Sequence, residues 1–199
     1  MIFDKENHTY TEKGKVLQPV SDWLNQFVPP FLSDKISGFV ARKQGVEQEE
    51  ILKMWEAKRN ISLHLGNWVH ESIECYLKYD KDFTNEAVEA FKKEMSENKY
   101  HSEIIVHDDE LAGTIDLIEI VNKGKVAIHD FKTTGDLYKK HGKLLEPYKA
   151  LDNSPINKYR LQLSKYQDLL EGMKNVEVVG LYLWHYKDGE FNKIEIEKI

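Results

Sequence analysis

The chain has 199 residues, 41% of them hydrophobic and 31% charged, with a formal net charge of −6. That length predicts one domain, 1–199, with a sizeable core, and the composition is ordinary for a globular protein. A single cysteine, Cys75, excludes an intramolecular disulfide and any Cys-ligated iron–sulfur cluster. The first residues lack a basic region followed by an apolar run, and no apolar run approaches the roughly 18 residues of a membrane span. The expectation is a cytoplasmic protein with no membrane partner.

Residues 2–17 alternate loosely around Glu-Lys-Gly-Lys, the pattern of a short hairpin. Ser21 is a fitting N-cap for a short helix running to Phe27 and closed by Pro29 and Pro30. The stretch 31–45 mixes glycine and scattered polarity and reads as a connector. Helical spacing returns in Glu47–Lys58 and again in Ser62–Tyr79, where Leu65, Val69, Ile73, Tyr76 and Leu77 form a stripe. A third helix is expected over Asn85–Asn98. Strands then follow at Ser102–His107, Leu111–Val121 and Lys125–Lys132, separated by Asp108-Asp109-Glu110 and Asn122-Lys123-Gly124. Gly135–Pro155 has little periodicity and is long for a structureless connection. A helix over Ile156–Glu171 and a hairpin of Val176–Tyr186 with Glu190–Ile196 complete an α/β chain. The N-terminal hairpin and helices occupy 1–60 and the remaining core about 62–199.

An acidic chain argues against a nucleic-acid partner, but the distribution of the charge points the other way. Lys132 to Lys165 contains eight Lys/Arg against three acids, a local excess of +5, so the remainder carries −11. A positive segment is where a phosphate backbone can lie, and it is equally what a solvated lysine-rich loop looks like.

The chemistry concentrates in Leu111–Thr134. Asp116 and Asp130 fall on neighbouring strands. Lys132 follows Asp130 by two residues and so shares its face, while Phe131 points the other way. Two carboxylates and an ammonium on one face are costly without a ligand, and a divalent cation between the acids would offset the cost. Carboxylate oxygens suit Mg²⁺ or Mn²⁺, with the Phe131 carbonyl as a further donor. Such a metal, with Lys132 stabilising developing charge, is what phosphodiester hydrolysis requires. Ordinary ion pairs use the same residue types. Upstream, His70 and Glu74 share a helix face four residues apart, and Glu103 on the first strand is within reach of the same site. Both have bland readings, as a hydrogen-bonded structural histidine and an exposed strand-end acid. Gln162 and Tyr166, again four apart, can contact phosphate or stack on a base. Thr133, Thr134, Lys139, Lys140, Lys143 and Arg160 are candidate phosphate contacts.

Taken together, Gly66-x-x-x-His70, Gly113-Thr114-Ile115-Asp116, Asp130-Phe131-Lys132-Thr133 and Gln162-x-x-x-Tyr166 resemble the PD-(D/E)XK nuclease superfamily. Within it the likeness is to the RecB-type branch, over roughly residues 62–170. The resemblance implies a restriction-endonuclease-like core with a central mixed β-sheet flanked by helices. It implies metal ligands at His70, Asp116, Asp130 and the Phe131 carbonyl, a catalytic Lys132, and a supporting, DNA-contacting motif at Gln162 and Tyr166. The second acid is Asp130 rather than the usual Glu of other branches. The branch also includes the CRISPR-associated adaptation nuclease, but the four cluster-binding cysteines of several relatives are absent, which turns the likeness toward cluster-free phage and mitochondrial exonucleases. The expected activity is a metal-dependent deoxyribonuclease on single strands or DNA ends, in phage-like recombination, repair or processing, with a recombinase or helicase as partner. The alternatives are a non-catalytic DNA-binding and recruitment subunit, and a nuclease acting on RNA.

Overall fold

The computed structural model describes residues 1–4, 7 and 9–199; Lys5, Glu6 and His8, part of the expected N-terminal hairpin, lie outside the described residues. Strands β1 (Ile2–Asp4), β2 (Thr9–Glu12) and β3 (Lys15–Pro19) pair antiparallel in sequence order. The β2–β3 turn places Lys13 and Gly14 at φ 49 and 81, the paired left-handed conformation that matches strand twist. β3 then runs parallel to the start of β5 (Leu111–Asn122), with Gln18 opposite Leu111 and Pro19 opposite Ala112. The chain passes directly from β3 into α1 (Val20–Asn25), whose cap is Pro19 without a side-chain bond, so Ser21 lies inside the helix and does not cap it.

Residues expected to connect instead form α2 (Ser33–Gln44), closed by Gly45 in the left-handed conformation at φ 70. Its buried residues are the small Ser37, Gly38 and Ala41, which let it approach the next helix closely but leave no apolar stripe in the sequence. That next helix, α3 (Gln48–Lys78), is one element of 31 residues where two were expected. Arg59-Asn60-Ile61 interrupts the hydrophobic period without containing a breaker, so the backbone continues for about 46 Å at 1.5 Å per residue. Its first half buries Ile51 alone, and its core face comes from Val69, Ser72 and Ile73 in the second half. α4 (Glu86–Glu94) is shorter than expected, and Asn85 caps it by accepting from the Val88 amide at 3.0 Å.

β4 (Lys99–His107), β5 and β6 (Lys125–Lys132) form an antiparallel meander close to the expected boundaries. Asp108 Oδ1 shapes the first turn by accepting from the Glu110 and Leu111 amides, each at 2.7 Å. Helix α5 (Pro155–Met173) carries the chain to β7 (Glu177–Lys187), which lies parallel to β6, and β8 (Glu190–Glu195) returns beside it. The resulting mixed sheet is covered on both sides. Ile115, Ile118, Ile128 and Leu183 pack with Leu163 and Leu169 of α5 on one face. Leu117, Phe131 and Trp184 pack with Val69, Ile73 and Phe91 of α3 and α4 on the other. The expected α/β class and flanked mixed sheet are therefore present. The long 133–154 connection is pinned by buried Leu137 and Leu144 and by a bridge between Lys143 and Asp152.

A buried polar network ties the second face together. Trp184 Nε1 donates to His129 Nδ1 at 2.9 Å, so the neutral ring donates from Nε2 to Glu119 Oε2 at 3.0 Å. Ser96 and Asn98 complete the shell on Glu119 Oε1, at 2.6 and 2.7 Å. The His129 bond chiefly holds Glu119 well below the usual carboxylate range, and burial pushes His129 below its ordinary 6.5.

Two expected outcomes follow from this packing. A Cβ on Gly113 would sit 2.5 Å from Cε1 of the buried Tyr166 ring, which lies across β5 at that point. Gly113→Ala should therefore cost about 1–3 kcal/mol, read as a lower Tm in a thermal melt. The second concerns acid. Because both depressed pKa values mean that the unfolded chain takes up protons first, the contribution of this pair to stability is full above about pH 6.5 and falls as pH drops. Relative to the wild type, a His129→Gln variant should show a Tm deficit at about pH 7 that shrinks by about pH 5, because only the wild type loses the His129 contribution over that range; a constant deficit would remove His129 as the cause.

Candidate metal and phosphodiester site

The ladder between β5 and β6 runs from Asn122/Lys125 to Leu117/His129 and then stops. Beyond it, Asp116 Oδ2 accepts from the Phe131 amide at 2.8 Å, so a side chain takes the place of the missing ladder bond. On the opposite edge of β5, the β4 register sets Glu103 across from Asp116, between the pairs Ser102/Leu117 and Ile104/Ile115. Glu103 is at φ 55, a left-handed conformation that an L side chain adopts only at a cost. The strained kink carries this acid to the point where the strands part.

α3 contributes the nitrogen. His70 Nε2 lies 3.1 Å from the Phe131 carbonyl oxygen, which can only accept, so Nε2 carries the proton. In the neutral ring Nδ1 is then bare, and it faces Asp116 Oδ2 at 3.5 Å. The donor atoms of His70, Glu103 and Asp116 all lie within 4.8 Å of one another. Burial, and after it the charges of Asp116 and Glu74, push the Glu103 carboxyl up to about 7. A lone pair and two crowded carboxylates are what a hard divalent cation relieves, and one imidazole with carboxylate oxygens suits Mg²⁺ or Mn²⁺. The residues present fit such an ion.

Asp130 and Lys132 stand beside this convergence on the α5 side, sharing a face as the strand period requires. Lys132 Nζ lies 2.5 Å from Asp130 Oδ2. That oxygen is buried, and the charge-assisted contact with the ammonium is its compensation among the described residues. Burial raises the Asp130 pKa against the opposing pull of Lys132. For Lys132, burial works toward loss of the proton, but the Asp130 and Asp116 carboxylates outweigh it and raise the pKa. The ammonium is also 5.0 Å above the Tyr159 ring.

These groups line a cleft of about 550 Å³, shared with Gln162, Tyr166, Thr133 and Thr134. Gln162 Nε2 donates to the Tyr166 hydroxyl at 3.0 Å. Tyr166 is buried in the core cluster, so it forms the cleft wall and offers no free ring face; burial raises its pKa. Glu74 is also at the rim and pairs with Lys78 at 3.2 Å.

The structure thus gathers His70, Asp116, Asp130, Phe131, Lys132, Thr133, Gln162 and Tyr166 around one cleft. It promotes Glu103 from an accessory acid to a member of the converging set, and leaves Asp130 outside that set, held by Lys132. The Phe131 carbonyl is engaged by His70. The other basic candidates do not line the cleft. Lys140 and Lys143 both pair with Asp152, at 2.7 and 2.8 Å, Lys139 is exposed on the loop, and Arg160 reaches Glu197 at 3.7 Å. Unsuspected members are Asn67 from α3 and Thr114, which exchanges a 3.0 Å hydrogen bond with Tyr10. Counting back from the Asp108 turn would have placed Glu103 opposite Asp116, the one signal in the sequence that raises it above the other acids.

No helix among the described residues is long and apolar enough to cross a membrane. No curated protein matches the chain. Among solved structures, a protein named SSO0001 aligns at a TM-score of 0.46 with 14% identity, over 95% of this chain and 70% of that one. A candidate exonuclease from Eubacterium rectale aligns at 0.44 with 12% identity, over 99% of this chain and 79% of its own. The sequence profile of the PD-(D/E)XK nuclease superfamily matches residues 40–198, a span that runs from the end of α2 through the cleft to the C-terminal hairpin. By that match the chain belongs to the PD-(D/E)XK nuclease superfamily, whose members hydrolyse nucleic acids.

Proposed function

We propose that residues 1–199 form one nuclease domain of the RecB-type branch, hydrolysing DNA phosphodiesters with Mg²⁺ or Mn²⁺ and working as an exonuclease on single strands or ends. The observation that carries this reading is the convergence of His70, Glu103 and Asp116 beside the Asp130–Lys132 pair. His70, Glu103 and Asp116 would hold the ion, and Asp130, whose Oδ2 is engaged by Lys132, is the next carboxylate lining the cleft. A bound divalent cation supplies Lewis-acid stabilisation and a more acidic water.

The chain's own groups do the rest. Lys132 stays protonated between two acids, so it can place positive charge against a phosphate oxygen as charge develops there. Asp130 orients that ammonium. Gln162 and Tyr166 fix the wall opposite α3, and Thr133 and Thr134 extend the cleft's hydrogen-bonding edge beyond Lys132. Lys139, Lys140, Lys143 and Arg160 are assigned to the incoming backbone outside the cleft, where Lys140 and Lys143 would exchange Asp152 for phosphate. The setting that suits such an enzyme is cytoplasmic, phage-like DNA recombination or repair alongside a recombinase or helicase.

End-labelled DNA and RNA oligonucleotides incubated with the protein provide the test. Cleavage of DNA should require Mg²⁺ or Mn²⁺ and stop in EDTA. Asp116→Asn should abolish it, and Lys132→Ala should slow it by about 10²-fold or more. Absence of metal-dependent cleavage, or equal rates for wild type and both variants, would sink the reading; faster cleavage of RNA would move the substrate assignment.

A separate check needs no turnover. Mn²⁺ at about 100 times its Kd should stabilise the wild type by about 2.7 kcal/mol, seen as a raised Tm. The rise should vanish in a Glu103→Gln, Asp116→Asn double variant.

A further inference from the structure

A second groove, of about 640 Å³, opens between the segment after α1 and the start of α5. One side is apolar, formed by Pro30 and Phe31 among others. The Phe31 ring is 67% exposed and is backed by Trp55, with ring centroids 5.6 Å apart. The polar lining consists of Lys35, His141, Asn153 and Lys158, with no carboxylate among the lining residues.

The Lys158 ammonium lacks a counter-charge and one atom of Asn153 lacks a hydrogen-bond partner among the described residues. Lys158 is half-buried, has no ion pair among the described residues, and is lowered in pKa by burial alone. A partly desolvated ammonium without a counter-charge is costly, and an anion brought to it removes the cost. Asn153 is 7% exposed at the groove's edge. Its Nδ2 reaches the His141 carbonyl at 3.4 Å, but its Oδ1 has no hydrogen-bond partner. An unsatisfied buried acceptor calls for a donor.

An anion site, an unused acceptor and an exposed aromatic face side by side match one chemical unit: a nucleotide with its base unstacked. Location strengthens the match. Lys158 precedes Gln162 by four residues on α5, so the two share a helix face about 6 Å apart along the axis, and Gln162 lines the catalytic cleft. We propose that this groove holds an unpaired nucleotide of the strand cut in the cleft. Its phosphate lies against Lys158 and His141, its base on Phe31, and a base N–H on Asn153. A base inside a duplex has its faces covered and cannot use the ring. The groove therefore selects single-stranded substrate. This inference rests on the nuclease reading only for what happens to the strand next door.

The test is binding without turnover. Fluorescence anisotropy in EDTA measures Kd for a labelled oligo-dT strand and for a blunt duplex of equal length. The probes are wild type, Phe31→Ser, Lys158→Gln and, as a control for general charge, Lys123→Gln on the exposed β5–β6 turn. Phe31 is solvent-facing, so its replacement leaves the fold in place, and melting curves verify this for Lys158→Gln. The single strand should bind the wild type more tightly than the duplex. Each groove variant should weaken single-strand binding about tenfold, and Lys123→Gln much less. Equal affinity for strand and duplex, or groove variants that match the control, would overturn the proposal. If groove-dependent binding is found but no metal restores cleavage, the groove stands and the nuclease reading falls. Cleavage with unaltered binding in the groove variants gives the reverse.

Discussion

The site depends on one constraint: β5 and β6 must part at Leu117/His129 without leaving the freed backbone unpaired. A buried amide that loses its ladder partner is costly, and here the Phe131 N–H is recovered by Asp116 Oδ2 at 2.8 Å. The same carboxylate therefore closes the sheet and opens the cleft. Everything else is arranged around the parted strands. The Phe131 carbonyl, turned from the ladder, positions His70 through Nε2, and β3 takes over beside β5 only at Leu111 and Ala112. Asp116 cannot be replaced by a residue that serves only one of these ends.

The two faces of β6 then divide the work. Phe131 anchors the strand in an aromatic cluster with Phe91, Trp184 and Phe191. That packing fixes the strand against α3 and α4 and so fixes the height at which His70 meets the Phe131 carbonyl. On the other face Asp130 and Lys132 lie under α5, where Gly113 lets the Tyr166 ring come close enough to close the wall. The absence of a single Cβ thus sets the separation of helix and sheet beside the cleft.

Much of this was legible in the sequence because it is local. Period-two alternation placed Asp130 and Lys132 together and Phe131 opposite, and the two β-turns were marked by Asp108 and Gly124. What sequence periodicity could not reveal was of two kinds. α2 buries Ser37, Gly38 and Ala41, so its contact with α3 is made by small residues and carries no hydrophobic stripe. α3 keeps its N-terminal half largely in solvent, where periodicity has nothing to record, so its continuity depends on the lack of a breaker. For the site residues whose weight the sequence misjudged, the cause is different. Glu103 reaches Asp116 through a strained backbone conformation that no propensity favours. Lys140 and Lys143 lose their standing as free cations to Asp152, about ten residues away across a loop with no period.

Charge satisfaction, finally, separates a fully matched polar group from a candidate site group on adjacent positions of one strand. His129 and Asp130 are neighbours and both buried. Around His129 every strong donor and acceptor is matched: Trp184 feeds Nδ1, Glu119 takes the Nε2 proton, and Ser96 and Asn98 fill the carboxylate's other oxygen. Nothing is left for a ligand, and the network acts as a clamp between β5, β6 and β7. Around Asp130 the arrangement is less complete: burial raises its pKa against the pull of Lys132, and across the cleft a crowded Glu103 is pushed up to about 7. Such groups raise the free energy of the folded chain, and the stability to carry them comes from the matched network and the aromatic cluster beside it. The Asp130 end of the strand is the one that the proposed metal ion and phosphate would complete.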